Sequence, residues 1–247
     1  MKISIITVCF NSVETIEDTI KSVLSQQHDS LEYIIVDGGS IDGTLDIINK
    51  YKDKIYKIVS EPDKGIYDAM NKGIKLSTGE VVGILNSDDF YCDNNVLKNI
   101  SEVFSDNCVD ATYGNIEYVE RADIKKCIRF WRAGDYRKEK LSSGWIMPHP
   151  AFFVRKELYE RYGLFNINFR IAADYELMLR FLKKDIKVKY LDQTLVCMRE
   201  GGFSGNSFKQ RLAGWRELKM AWTKNNFSVP PFFITRRILS KIKQYFV

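Results

Sequence analysis

EYIIVDGGSIDGT, residues 32–44, holds in one stretch the local unit from which the fold follows. The β-branched run YIIVD (33–37) reads as a strand that stops on a carboxylate. Gly38, Gly39 and Gly43 then make a turn, with Asp42 placed to cap the helix expected over Thr44–Tyr51. The same order recurs on either side. ISIITV (3–8) runs into Asn11 and Ser12 before a helical spacing of Val13, Ile16, Ile20, Val23 and Leu24. YKIVSE (56–61) leads through EPDKG to a helix over Ile66–Leu76, and VVGIL (81–85) ends in Asn86-Ser87-Asp88-Asp89. Strands alternating with helices predict a mostly parallel α/β sheet. The polar clusters all follow strand carboxyl ends, the edge where such sheets bind ligands.

The second half is less regular. ATYGNIEYV (111–119) and KCIRFW (126–131) read as strands, and RKELYERYG (155–163) as a short helix stopped by Gly163. A helix over about residues 173–183 follows, then separate strands KVKYLD and TLVCMRE. With 45% apolar and 28% charged residues in 247, the composition is that of a folded soluble protein, which argues against disordered and membrane-spanning classes. Five scattered cysteines, with no CxxC pair, indicate neither a disulfide framework nor a zinc site, so a reducing cytoplasm fits best. The first residues, MKISIITVCF, are too short and too interrupted for a signal-peptide core.

Several polar residues at the strand ends invite chemistry, and each also has a structural reading. Asp37 either shapes a glycine turn or accepts hydrogen bonds from a base or ribose lying on the bare backbone beside it. Asp63 and Lys64 sit at the same edge, where Lys64 is a solvated surface charge or faces a diphosphate. Asp88 and Asp89 suit a hard divalent ion, which bridges one or two carboxylates to substrate phosphates and keeps several waters. They also suit an ordinary turn. Asp174, at the start of a helix in RIAADYELMLRFL (170–182), either favours the positive helix end or takes a proton as a general base. His149 stands between two prolines in MPHPAF. No glycine follows the first strand, so the phosphate turn of dinucleotide-binding folds is missing.

In sequence, SIITVCFNSVETIEDTIKSVLSQ, EYIIVDGGSIDGT, EPDKGIYDAMNKGI, GILNSDDFY and IAADYELMLR together resemble family 2 glycosyltransferases of the GT-A fold, over roughly residues 1–202. The resemblance implies a Rossmann-like central sheet and an inverting sugar transferase of the kind that builds bacterial surface polysaccharides. It implies a nucleotide-diphosphate sugar donor, UDP-linked by family habit, a saccharide or lipid-linked acceptor, and Mn²⁺ or Mg²⁺. By position Asp37 matches the base-recognising carboxylate and Asp63 a second acid on the nucleotide side. Asn86-Ser87-Asp88 takes the place of the DxD motif, with Asp88 as metal-binding acid and Asp89 supporting it. Asp174 matches the catalytic base of the ED motif. This chain departs from the pattern at Asn86, at Ala173 and at Met70, which stand where Asp, Glu and often Arg are found.

Two other function classes frame that expectation. A non-catalytic relative, binding a nucleotide sugar or a partner enzyme, differs from it in showing no donor hydrolysis. A phosphohydrolase or receiver protein would carry its nucleophilic Asp after the first strand, where Cys9, Phe10 and Asn11 stand instead. Residues 203–247 carry nine Lys or Arg and one acid, Glu217, and read as a basic, mostly helical extension with a boundary near residue 203. Its end, FFITRRILSKIKQYFV (232–247), is either a helix packed on the catalytic domain or a basic amphipathic helix on the inner membrane surface. Nucleic acid is not an expected partner, because the rest of the chain is acidic and carries no binding motif.

Overall fold

In the computed structural model the described residues are 1–201 and 208–242. The first half alternates as expected: β1 (Ile3–Cys9), α1 (Ile16–Leu24), β2 (Leu31–Asp37), α2 (Thr44–Lys50), β3 (Lys57–Ser60), α3 (Ile66–Leu76) and β4 (Val81–Asn86). These strands pair in parallel in the order β3-β2-β1-β4. Every residue of β1 is buried. Ile6 and Val8 face one core cluster while Ile3, Ile5 and Cys9 face the other. A strand covered on both faces has no polar side to show, which is why ISIITVC lacks strict alternation. Helix α3 lies so close to β1 that a Cβ on Gly73 would come within 2.3 Å of Ile6 Cγ2.

The chain continues through β5 (Asp89–Tyr91), α4 (Val96–Phe104), β6 (Ala111–Val119), β7 (Cys127–Trp131), β8 (Phe152–Arg155), α5 (Lys156–Tyr162), α6 (Ala173–Leu182) and β9 (Val188–Arg199). Strand β8 joins the two halves of the sheet by antiparallel pairing with β4 and with β6. Beyond it β6 pairs with β9 in parallel, and β9 with β5 in antiparallel fashion. The two strands expected over 187–200 are one, β9; Asp192, near the junction, accepts from Asn115, Tyr190 and Arg132, which ties the chain there to its neighbours. Helix α1 starts three residues later than the apolar spacing suggests. Asn11 has a φ of 49° and Val13 donates to Asp42, so the chain up to Val13 belongs to a loop.

Residues 203–247 contribute α7 (Phe208–Lys224) and α8 (Phe233–Ile242). Leu218, Ala221, Trp222 and Phe233 are buried in the same core cluster as the inner face of α6. Helix α6 is buried on nearly all sides, which explains its weak apolar periodicity. Its Glu176 is 4% exposed, paired with Arg180 at 3.0 Å and hydrogen-bonded by Asn225. No described helix is long and apolar enough to cross a membrane.

Candidate active site at the carboxyl edge of the sheet

Strand register lines up the polar ends. Cys9 is opposite Asp37, Asp37 opposite Ser60, and Val8 opposite Asn86, so four strands finish at one level. Parallel pairing does this without any contact between the loops themselves. The loops are then tied together: Asn11 accepts from the Ile41 N–H and its own N–H donates to Ser40, while Asp42 accepts from Val13 and Thr44.

Asp37 is fully buried at the end of β2. Its Oδ2 accepts from Gly39 N, Ser40 N and Ser60 Oγ at 3.0, 3.0 and 2.7 Å, and its Oδ1 from the Ser40 hydroxyl and the Cys9 thiol. Burial alone would raise this carboxyl; the donors from Ser40, Ser60 and the backbone outweigh it and hold the group below the usual carboxylate range. Asp63 comes against the same turn. A Cβ on Gly38 would lie 2.5 Å from Asp63 Oδ2, so the bare backbone there makes room for the acid. Asp63 Oδ1 accepts from Gly65 N at 2.7 Å, at the entrance to α3. Lys64 is exposed, and its N–H donates to Asp68 in the first turn of that helix.

The Asn86–Asp89 turn joins β4 to β5. Three contacts fix its backbone and hydroxyl: Arg199 donates to Asp88 O at 2.8 Å, Thr19 to Asp89 O at 2.7 Å, and Ser12 and Ser87 share a hydroxyl contact of 2.8 Å. Asn86 Nδ2 donates to Asp89 Oδ2 at 3.0 Å. Among the described residues, Asn86 Oδ1 and Asp89 Oδ1 are buried acceptors without a partner. Burial raises the Asp88 carboxyl, opposed by Arg121 and Arg199. Asp89 lies well above the usual range through burial and the neighbouring Asp88 charge, with Asn86 and Arg199 opposing. One unpartnered amide oxygen and two carboxyls, one of them with an unpartnered oxygen, therefore stand together in this turn. That donor set, all oxygen, fits a hard divalent ion completed by phosphate and water. Among the described residues no three His, Cys, Asp or Glu side chains converge as a full protein cage.

Asp174 opens α6 on the other side of α3. Tyr67, in the first turn of α3, donates to Ile171 O at 2.8 Å and lies 3.3 Å from Asp174 Oδ1. Tyr67 also stacks on Phe165, whose edge faces His149 at a centroid distance of 5.5 Å. Burial holds His149 below the ordinary histidine value while the Asp174 charge pulls the other way. The structure therefore gathers His149, Tyr67 and Asp174, and α3 connects them through Gly65 to Asp63. Tyr67 was not foreseen as a site residue. Tyr67 lies inside the EPDKGIYDAM stretch, which is the one signal that could have marked it.

With strand ends, turn and buried carboxylate placed, the comparisons decide the family. The model of Glycosyl transferase family 2 matches residues 4–163. The chain belongs to glycosyltransferase family 2. It is 30% identical over 223 residues to the Escherichia coli UDP-Glc:alpha-D-GlcNAc-diphosphoundecaprenol beta-1,3-glucosyltransferase WfaP, covering 88% of this chain and 85% of that one. It is 27% identical over 209 residues to a PGL/p-HBAD biosynthesis glycosyltransferase of Mycobacterium tuberculosis, covering 83% and 79%. Among solved structures, Staphylococcus aureus TarS 1-349 in complex with UDP-GlcNAc superposes with a TM-score of 0.72 at 18% identity, over 100% of this chain and 75% of that one. The mannosyltransferase PcManGT of Pyrobaculum calidifontis, with GDP-Man and Mn²⁺, gives 0.67 at 19%, over 97% and 69%. At those identities the likeness establishes the GT-A fold, and the family match establishes a glycosyltransferase.

Proposed function

We propose that this glycosyltransferase moves a sugar from a UDP-linked donor to a hydroxyl of a saccharide or lipid-linked acceptor, with inversion, in polysaccharide assembly. The observation that carries the reading is the shared level of Asp37, Ser60 and Asn86 at the sheet edge, with orphaned oxygens beside Asp88. In this reading the Gly38-Gly39 backbone and the Asp37-braced turn receive the nucleoside, with Asp63 beside it and exposed Lys64 free to meet the diphosphate. Asp88, with Asn86 Oδ1 and Asp89 at its side, would hold Mn²⁺ or Mg²⁺. When bound, such an ion supplies Lewis-acid stabilisation of a leaving diphosphate. Asp174 takes the proton of the acceptor hydroxyl as that oxygen attacks the anomeric carbon from the face opposite the diphosphate. Tyr67 keeps the carboxylate in place, and His149 packs against Phe165, on which Tyr67 stacks.

The WfaP relative supports UDP-glucose and a lipid diphosphate acceptor as the first pair to try. A panel of UDP-, GDP- and dTDP-sugars with Mn²⁺ should raise the melting temperature only for the donor class that binds, since a ligand of the native state stabilises it by mass action. Equal shifts, or none, with every member of the panel would remove the UDP-sugar reading. The REGGFSG loop (199–205), whose glycines allow close backbone approach, is the alternative to Lys64 for closing over the diphosphate; its residues 202–205 lie outside the described residues, as do residues 243–247.

A lipid-linked acceptor also implies a membrane-facing surface. On α8, Phe233 and Arg237 dock inward, while Ile238 and Leu239 are exposed at 45% and 59%, next to exposed Arg236. The helix is thus packed on the catalytic body and still offers a basic apolar face, which suits anionic lipid. The full chain should co-sediment with anionic liposomes, and Leu239→Ser combined with Arg236→Ser should weaken this. Unchanged binding by that variant would assign the contact elsewhere.

A further inference from the structure

The C-terminal extension reaches back to the helix that carries Asp174. Helix α6 starts without a side-chain cap of its own, since Ala172 stands at the capping position. Alanine cannot accept a backbone N–H there. The brace comes instead on the segment that leads into the helix, from α7: Glu217 Oε1 accepts from Arg170 N at 2.9 Å, and its Oε2 from Ile171 N at 2.8 Å and Ala172 N at 2.9 Å. Three consecutive N–H groups converge on one carboxylate, a charge-assisted arrangement that fixes backbone strongly. Glu217 is the sole acid among residues 203–247. Surface electrostatics does not account for a single acid in so basic a segment, whereas this contact does.

The clamped segment is coupled to Asp174 by a second link. Ile171 presents its C=O to Tyr67, and the same hydroxyl lies beside Asp174 Oδ1. Helix α7 is held tightly over the segment, because a Cβ on Gly214 would lie 3.3 Å from Ile171 Cγ2. On the far side of Asp174, Trp222 donates to Tyr175 OH at 2.9 Å, and the Arg237 guanidinium lies over the Tyr175 ring at 5.3 Å. Residues before and after Asp174 are therefore both gripped by the extension.

We infer that Glu217 is a positioning residue, and that the C-terminal extension sets the orientation of Asp174 through it. The inference rests on Asp174 being the base. Displacing a catalytic group by about 1 Å costs on the order of 100-fold in rate. Glu217→Ala in the full chain should therefore lower kcat for UDP-glucose turnover by about 10- to 100-fold. The donor KM should stay nearly unchanged, since the hydrogen bonds of Glu217 run to residues 170–172 and not to the strand-end loops. Glu217→Gln keeps an oxygen toward Ile171 and Ala172 and should recover most of kcat.

The deciding readout is a double-mutant cycle with Asp174→Asn, scored on protein that binds UDP stoichiometrically. A residue acting through Asp174 adds no further loss once Asp174 is gone. Wild-type kcat in Glu217→Ala, or losses that multiply in the double variant, would overturn the inference. Should Glu217→Ala fail to fold, Glu217→Asp, too short to reach all three N–H groups, takes its place under the same criteria. A fully active Asp174→Asn would instead sink the base assignment itself. An inactive Asp174→Asn beside a fully active Glu217→Ala sinks only the positioning role.

Discussion

Asp174→Asn should reduce sugar transfer by roughly 10²- to 10⁴-fold, the range lost when a positioned general base is removed. Asparagine has nearly the same shape, and its carbonyl still accepts from Tyr67, which now donates to Ile171 O and approaches Asp174 Oδ1. The local structure should therefore persist, and so should donor binding, because Asp37, Asp63 and Asp88 stand on other elements. What disappears is the capacity to take a proton from the attacking hydroxyl. The check is UDP release from the donor in the presence of acceptor, with kcat and donor KM measured separately. A kcat equal to that of the native chain would assign the proton transfer to another group.

Asp88→Ala should cost roughly 100-fold or more in kcat/KM, and chelation of divalent ions should do the same to the native chain. The estimate follows from several kcal/mol of charge stabilisation at about 1.4 kcal/mol per tenfold. The physical ground lies in the turn itself. Among the described residues Asn86 Oδ1 and Asp89 Oδ1 are buried without partners, and burial pushes both Asp88 and Asp89 upward, so these oxygens fit a divalent cation. The turn's backbone contacts from Arg199 and Thr19 do not involve the Asp88 side chain, which predicts that Asp88→Ala folds normally. Activity indifferent to chelator would remove the ion from the account, even if Asp88 proved essential.

The parallel half of the fold was legible because its signals are local. Each strand from β1 to β4 contains a short β-branched run and is followed by polar residues, and burial on both faces writes β1, β2 and β4 as nearly continuous apolar text, while β3 is a part-exposed edge strand. Strands β5 and β8 escaped notice because three or four residues carry no period, and their place is fixed by pairing with β9, β4 and β6, far away in sequence. The candidate residues at strand ends were legible as such, because a strand that stops on a polar residue is a local signal. The level of Asp37, Ser60 and Asn86 follows from register, which the alternation of strands and helices already implies. Tyr67 was hidden because it reads as one apolar position of an amphipathic helix, and only the fold brings its hydroxyl to Ile171 and Asp174. Glu217 was hidden for a similar reason. On sequence it is a lone acid in a basic tail, and the three N–H groups that define its task lie 45 to 47 residues earlier.

The central claim is a division of labour: the strand-end carboxylates hold the nucleotide and its ion, and Asp174 performs the proton transfer. Calorimetric titration of UDP, with and without Mn²⁺, into the native chain, Asp88→Ala and Asp174→Asn tests it most directly. The account predicts Mn²⁺-dependent UDP binding to the native chain, the same affinity in Asp174→Asn, and at least a tenfold loss, about 1.4 kcal/mol, in Asp88→Ala. UDP binding that ignores Asp88→Ala but collapses in Asp174→Asn would contradict it.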